Sequence, residues 1–154
     1  MFELNMKWHK RFMEVAMLIS TWSKDRSTKT GAVVIGEDRE IRSTGYNGFV
    51  RGVDDDVNER HERPTKYDFF EHAERNAIYN ACLCGVSLKG CILYATHPPC
   101  VNCARAIIQS GIKTIVTNKL EERKDIKGQE TWRDHLSHSE QMFKEANIEY
   151  IILE

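Results

Sequence analysis

No stretch of this sequence stays apolar for the roughly 18 residues that a membrane-spanning helix needs, so no spanning segment is expected. The N-terminus has no basic stretch leading into an apolar core and a small-residue cleavage site, and a cytoplasmic address is the expectation. Charge of one sign is also missing: 22 Lys and Arg stand against 23 Asp and Glu, a formal net charge of −1. That leaves no broad electrostatic footprint for a polyanion and favours a small substrate over nucleic acid. The five cysteines, Cys82, Cys84, Cys91, Cys100 and Cys103, are odd in number and nothing points to secretion. A disulfide framework is therefore a poor reading, and thiols or metal ligands a better one. Repeats, low-complexity tracts and linkers are absent too. With 154 residues, 41% hydrophobic and 29% charged, the chain is expected to fold as one domain over residues 1–154.

Trp8, Phe12, Val15, Ala16, Ile19 and Trp22 recur at helical spacing and predict an amphipathic opening helix that ends near Ser23. Two β-rich runs follow, Gly31–Gly36 and Ile41–Tyr46, and the polar Glu37–Glu40 between them predicts a hairpin. Residues 51–63, with three consecutive aspartates and several arginines, read as a long solvated loop. A helix from about His72, a strand over Cys91–Ala95 and a helix after Pro99 that stops at Gly111 come next. Strand Ile112–Thr117, a polar connection, a helix near Trp132–Ala146 and strand Glu149–Leu153 complete the chain. A helical crossover makes the last two strands parallel and joins them right-handedly. The fold class is α/β, with one mixed five-stranded sheet and helices on both faces.

Two of the expected helix starts carry metal-binding side chains: His72-Ala73-Glu74 and Pro99-Cys100-Val101-Asn102-Cys103. Cysteines three apart on a first helical turn point to the same side and can hold one tetrahedral zinc, while the positive end of a helix favours thiolates. His72, Cys100 and Cys103 make three ligands for one Zn2+. The fourth position stays open to water, which is the arrangement of a catalytic rather than a structural site. Hydrolysis at an amidine-like carbon also needs a proton carrier, and Glu74, two residues after His72, is placed to be one. His-x-Glu alone occurs by chance, and Cys-x-x-Cys alone also suits redox or structural-zinc roles. Together, with a proline before the first cysteine and a strand between the helices, they form a specific signature. A structural zinc knot would want a fourth ligand and leaves Glu74 unexplained. Cys82, Cys84 and Cys91 are expected to be small buried thiols, and no second zinc is expected. His97 has two open readings, pocket lining or a backbone-bound loop residue.

At His72-Ala73-Glu74-Arg75-Asn76-Ala77-Ile78 and Pro99-Cys100-Val101-Asn102-Cys103-Ala104 the sequence resembles the cytidine deaminase-like superfamily. Ser23-Lys24-Asp25, Gly45-Tyr46-Asn47-Gly48, Thr65-Lys66-Tyr67 and Ile107-Ile108-Gln109-Ser110-Gly111-Ile112 extend the resemblance to its deoxycytidylate (dCMP) deaminase branch. The resemblance implies a three-layer α/β/α sandwich and zinc-dependent hydrolysis of dCMP to dUMP and ammonia in pyrimidine deoxynucleotide metabolism. It also implies a substrate contact from Asn47, a homo-oligomer, and dCTP and dTTP as effectors. Asn47 has a competing reading as a turn residue. A 5′-phosphate needs cationic donors, and Lys24, Arg26 and Lys29 cluster after the first helix, where Arg26 can bind phosphate in bidentate fashion. A solvated charge run competes with that reading. Arg75 stands where the family pattern is more often apolar. Other functions remain open at this point: deamination of another small base, nucleoside or 5-modified deoxycytidylate, nucleic-acid editing, or a non-catalytic zinc-stabilised module.

Overall fold

The computed structural model describes residues 4–120 and 129–154, with the side chains of 129–133 left aside. Five strands form one sheet in the order β2-β1-β5-β6-β7: β1 (Gly31–Ile35), β2 (Ile41–Tyr46), β5 (Ile92–Ala95), β6 (Thr114–Asn118) and β7 (Glu149–Leu153). β1 runs antiparallel to β2 and β5, while β5, β6 and β7 are mutually parallel. The mixed sheet and the parallel closing pair are thus as the sequence predicts.

Strand β1 is buried throughout and feeds both faces. Val33 and Ile35 join Phe12, Met13 and Ala16 of helix α1 (Met6–Ser20) together with Tyr94 and Val116. Ala32 and Val34 face the other way. They join Ala73, Ala77 and Ala81 of α3 (Ala73–Cys84), Cys103, Ala104 and Ile107 of α4 (Val101–Gln109), and Phe143 of α5 (Gln129–Glu145). One helix on one face and three on the other make the layers α/β/α. The alanine face lets α3 lie close on the sheet. At Gly45 a Cβ would come 2.3 Å from the backbone of Ala73 and Ala77, so glycine is required there by contact rather than by backbone angle.

Some boundaries differ from expectation. Helix α1 stops at Ser20, because Ser20 and Thr21 turn their hydroxyls onto Met17 and Leu18 carbonyls and Ser23 donates instead to Asn47 O. Trp22 consequently lies beyond the helix and is 57% exposed, not in the core. Cys82 and Cys84 are exposed as well, since the core stripe of α3 passes through Ala73, Ala77 and Ala81. Cys91 is buried as expected. The loop read as solvated over 51–63 has structure: a 3-10 turn at Asn58–His61 sets the His61 ring against Phe49 and Phe70. Strand β6 starts at Thr114, not Ile112. The short helix α2 (Lys66–Phe69) and a ribbon of β3 (Gly48–Phe49) and β4 (Phe70–Glu71) were not foreseen. The Trp132 side chain and residues 121–128 of the polar connection lie outside what the structure describes. Among the described residues no helix is long and apolar enough to cross a membrane.

Candidate zinc centre

The β3–β4 ribbon ends immediately before His72, which takes an extended conformation as the N-cap of α3. Strand β5 ends at Ala95, and the turn through Pro98 and Pro99 delivers Cys100 as the extended N-cap of α4. The two helix starts meet at the carboxyl end of β5, where α/β sheets commonly place their sites. His72 Nδ1 lies 3.5 Å from Cys100 Sγ and 3.5 Å from Cys103 Sγ. Among the described residues these three form a group whose ligand atoms all lie within 4.8 Å of one another.

That spacing suits zinc. With Zn–N of about 2.05 Å and Zn–S of about 2.3 Å, a tetrahedral ion holds its nitrogen and sulfur ligands about 3.6 Å apart. The donor chemistry agrees. Hydrogen bonding with Cys103 and His72 overcomes burial to hold the Cys100 thiol down to about 3, whereas its bond to Cys100 and its burial push Cys103 up. Two thiols packed this closely do not both ionise readily without a cation between them. His72 is raised, first by its hydrogen bond with Cys100.

Glu74 is the second residue of α3 and is buried at 6% exposure, against the ligand cluster. Burial is the main reason its carboxyl pKa is raised, with the neighbouring His72 acting in the opposite direction. A buried carboxyl with a raised pKa next to a set of metal-binding side chains can both accept and return a proton. Arg75 pairs with Glu71 across His72, through a 2.7 Å bond from Nε and a second from Nη2.

The remaining sequence candidates are not in this cluster. Both amide protons of Asn47 are spent, one on Asp25 Oδ2 at 3.0 Å and one on Thr28 O at 2.8 Å, and its oxygen accepts from Thr30 N. The Asn47 side chain thereby ties down the loop between α1 and β1. Lys24 pairs with Asp55 at 2.6 Å and stays 74% exposed, and Arg26 donates to Asn58. Lys24 lines a groove of 520 Å³ that also includes Trp22, Tyr46, Arg51, Glu71 and Asn80. Sequence reading missed Asp25 and Lys66, which form a buried ion pair. Their only sequence signal was their place in two of the resembling blocks.

An α/β/α fold that brings one imidazole and two thiols together at zinc-ligand spacing, with a buried carboxyl alongside, defines a zinc-dependent hydrolase of the open-site class. The chain belongs, more narrowly, to the family described as cytidine and deoxycytidylate deaminase zinc-binding region, whose family model matches residues 6–119. A protein described as an uncharacterized deaminase in the luxG 3′ region of Aliivibrio fischeri is 41% identical over 93% of this chain and 91% of its own length. Human deoxycytidylate deaminase is 38% identical over 72% of this chain, and the match spans 64% of the human protein, short of two thirds of its length. The fold is similar to that of cyanophage S-TIM5 dCMP deaminase, solved in complex with dCMP and dUMP. That likeness has a TM-score of 0.77 and 23% identity and covers 98% of this chain and 100% of the other.

Proposed function

We propose that this chain is a zinc-dependent hydrolytic deaminase that converts dCMP and water to dUMP and ammonia, acting as one domain. The observation that carries the chemistry is the cluster of His72, Cys100 and Cys103 with Glu74 buried against it. The substrate comes from the human relative's activity and from the two sequence blocks around Asp25 and Asn47. Zinc held by the three side chains supplies a Lewis acid that makes water a nucleophile near neutral pH. Glu74 takes one proton from the attacking water on its carboxylate and delivers it to the ring nitrogen of cytosine; it then takes the second from the new C4 hydroxyl and passes it to the amino group, which leaves as ammonia as the C4 carbonyl forms. His72 would hold the metal through Nδ1, the atom that faces both sulfurs.

Asn47, Lys24 and Arg26 stand as the candidate substrate residues of this reading, with Arg26 the best phosphate donor by its chemistry. Homo-oligomerisation, a cytoplasmic setting, and dCTP and dTTP as effectors belong to the same proposal. The groove beside Tyr46 and Lys24 is the candidate effector surface. Ammonia release from dCMP, CMP, deoxycytidine and guanine, with dCTP or dTTP added in parallel, tests the reading. Turnover of dCMP well above the other three is expected. Turnover of a nucleoside with dCMP ignored would overturn the substrate, and no ammonia from any of them would overturn the enzyme.

A further inference from the structure

Asp25 and Lys66 are the most buried ion pair among the described residues, with side-chain exposures of 4% and 10%. Burying two charges costs desolvation that their attraction does little more than repay, and an apolar pair of similar volume is often as stable. What the charges add is direction. Asp25 Oδ1 accepts from Ser27 N at 2.8 Å, Ser27 Oγ at 3.0 Å, Thr28 N at 3.2 Å and Lys66 Nζ at 2.7 Å. Its Oδ2 accepts from Asn47 Nδ2 at 3.0 Å and Lys66 Nζ at 2.6 Å. Lys66 also donates to Ser27 Oγ at 3.0 Å, and its Nζ lies 5.0 Å from the centre of the Phe70 ring. Burial would raise the Asp25 carboxyl, but Lys66 and the Ser27 and Thr28 amides hold it below the usual range.

Three pieces of chain converge on this carboxylate, and two of them lead to His72. Lys66 begins α2, which runs through β4 into His72. Asn47 precedes β3, whose Gly48 pairs with Glu71 beside the histidine. The third piece is the loop between α1 and β1, and its far end is tied to the cysteine side. Thr30 N donates to Asn47, Gly31 N donates to Thr96 Oγ1 at 3.1 Å, and Thr96 N donates to Gly31 O at 3.0 Å, just before the turn to Cys100. The loop that exposes Lys24, Arg26 and Lys29 is thereby clamped to both ligand-bearing segments.

We propose that Asp25 and Lys66 are a positioning pair that fixes residues 24–30 as a rigid rim for the nucleotide, setting where its cations meet the phosphate. The proposal rests on the dCMP reading above. Neither residue touches the reacting atoms; both act through the loop. A misplaced rim weakens binding of the phosphate and leaves the zinc chemistry in place.

The test compares Lys66→Met, Lys66→Arg and the double variant D25N/K66M with the parent. The measurements are zinc per chain, kcat and KM for dCMP, and the Kd of dUMP. For Lys66→Met and the double variant, KM and the dUMP Kd are expected to rise about tenfold or more, with kcat within about threefold and zinc unchanged. Lys66→Arg should recover much of the affinity. The double variant leaves no buried charge unpaired, so it reads the effect even where Lys66→Met fails to fold. KM and Kd within about twofold of the parent in a folded, zinc-loaded variant would overturn the proposal. So would loss of zinc with kcat, or failure of both variants to fold, either of which makes the pair a scaffold element. A parent enzyme that neither turns over dCMP nor binds dUMP fails the substrate reading first, visibly in the parent, and the proposal falls with it.

Discussion

At the start of α3, His72 gives up the usual task of its position. N-cap side chains ordinarily accept from the first free backbone amides of a helix, a bond worth about 1 kcal/mol. His72 makes no such bond, and its Nδ1 faces two sulfurs instead. Function displaces stability at this residue. His72→Asn should therefore lose zinc, while the metal-free protein becomes more stable by up to about 1 kcal/mol. Zinc per chain and urea midpoints of the metal-free forms measure both. A variant that still binds one zinc would remove His72 from the ligand set. His72, Glu74, Cys100 and Cys103 were legible because each helix start encodes its ligands within a few residues. Asp25 and Lys66 were not, because their meaning arises only when residues distant in sequence come within hydrogen-bond range. The bonds of Asn47 to Asp25, Thr28 and Thr30 were likewise not legible, because no local pattern contains them.

Among the elements, α1 carries a buried group whose titration should be felt in stability. His9 is buried on the sheet with Nδ1 2.9 Å from the Tyr94 hydroxyl. Burial lowers its pKa, while Glu149 and a backbone bond at Leu4 pull the other way without prevailing. The unfolded chain thus binds the His9 proton at higher pH than the folded one. This contribution to stability is fully present above the ordinary histidine pKa of about 6.5 and is lost as pH falls towards the folded value. Denaturant midpoints should drop between pH 7 and pH 5.5 by more in the parent than in His9→Gln. Equal drops would show that His9 titrates alike in the folded and unfolded states. The long helices and strands were legible from their periodicity. The β3–β4 ribbon and α2 were not, since elements of two to four residues are fixed by their partners rather than by their own pattern.

For the whole molecule, the layers explain why two helix starts far apart in sequence share one site. The small residues of α3 bring it close against the sheet, β5 delivers α4 beside it, and the parallel β5–β6–β7 run leaves both helices on the same face. The part of the chain beyond the family match takes part in this. Phe143 of α5 packs in the same core as Cys100 and Cys103, and β7 closes the sheet. Near-neutral charge agrees with a small substrate rather than a polyanion. The central claim, that a zinc held by His72, Cys100 and Cys103 works with Glu74 to deaminate dCMP, is tested most directly on Glu74→Gln. Zinc content and ammonia release from dCMP are measured on one sample beside the parent. Unchanged zinc with turnover reduced roughly 10²- to 10⁴-fold is predicted, and turnover at the parent rate would contradict the account.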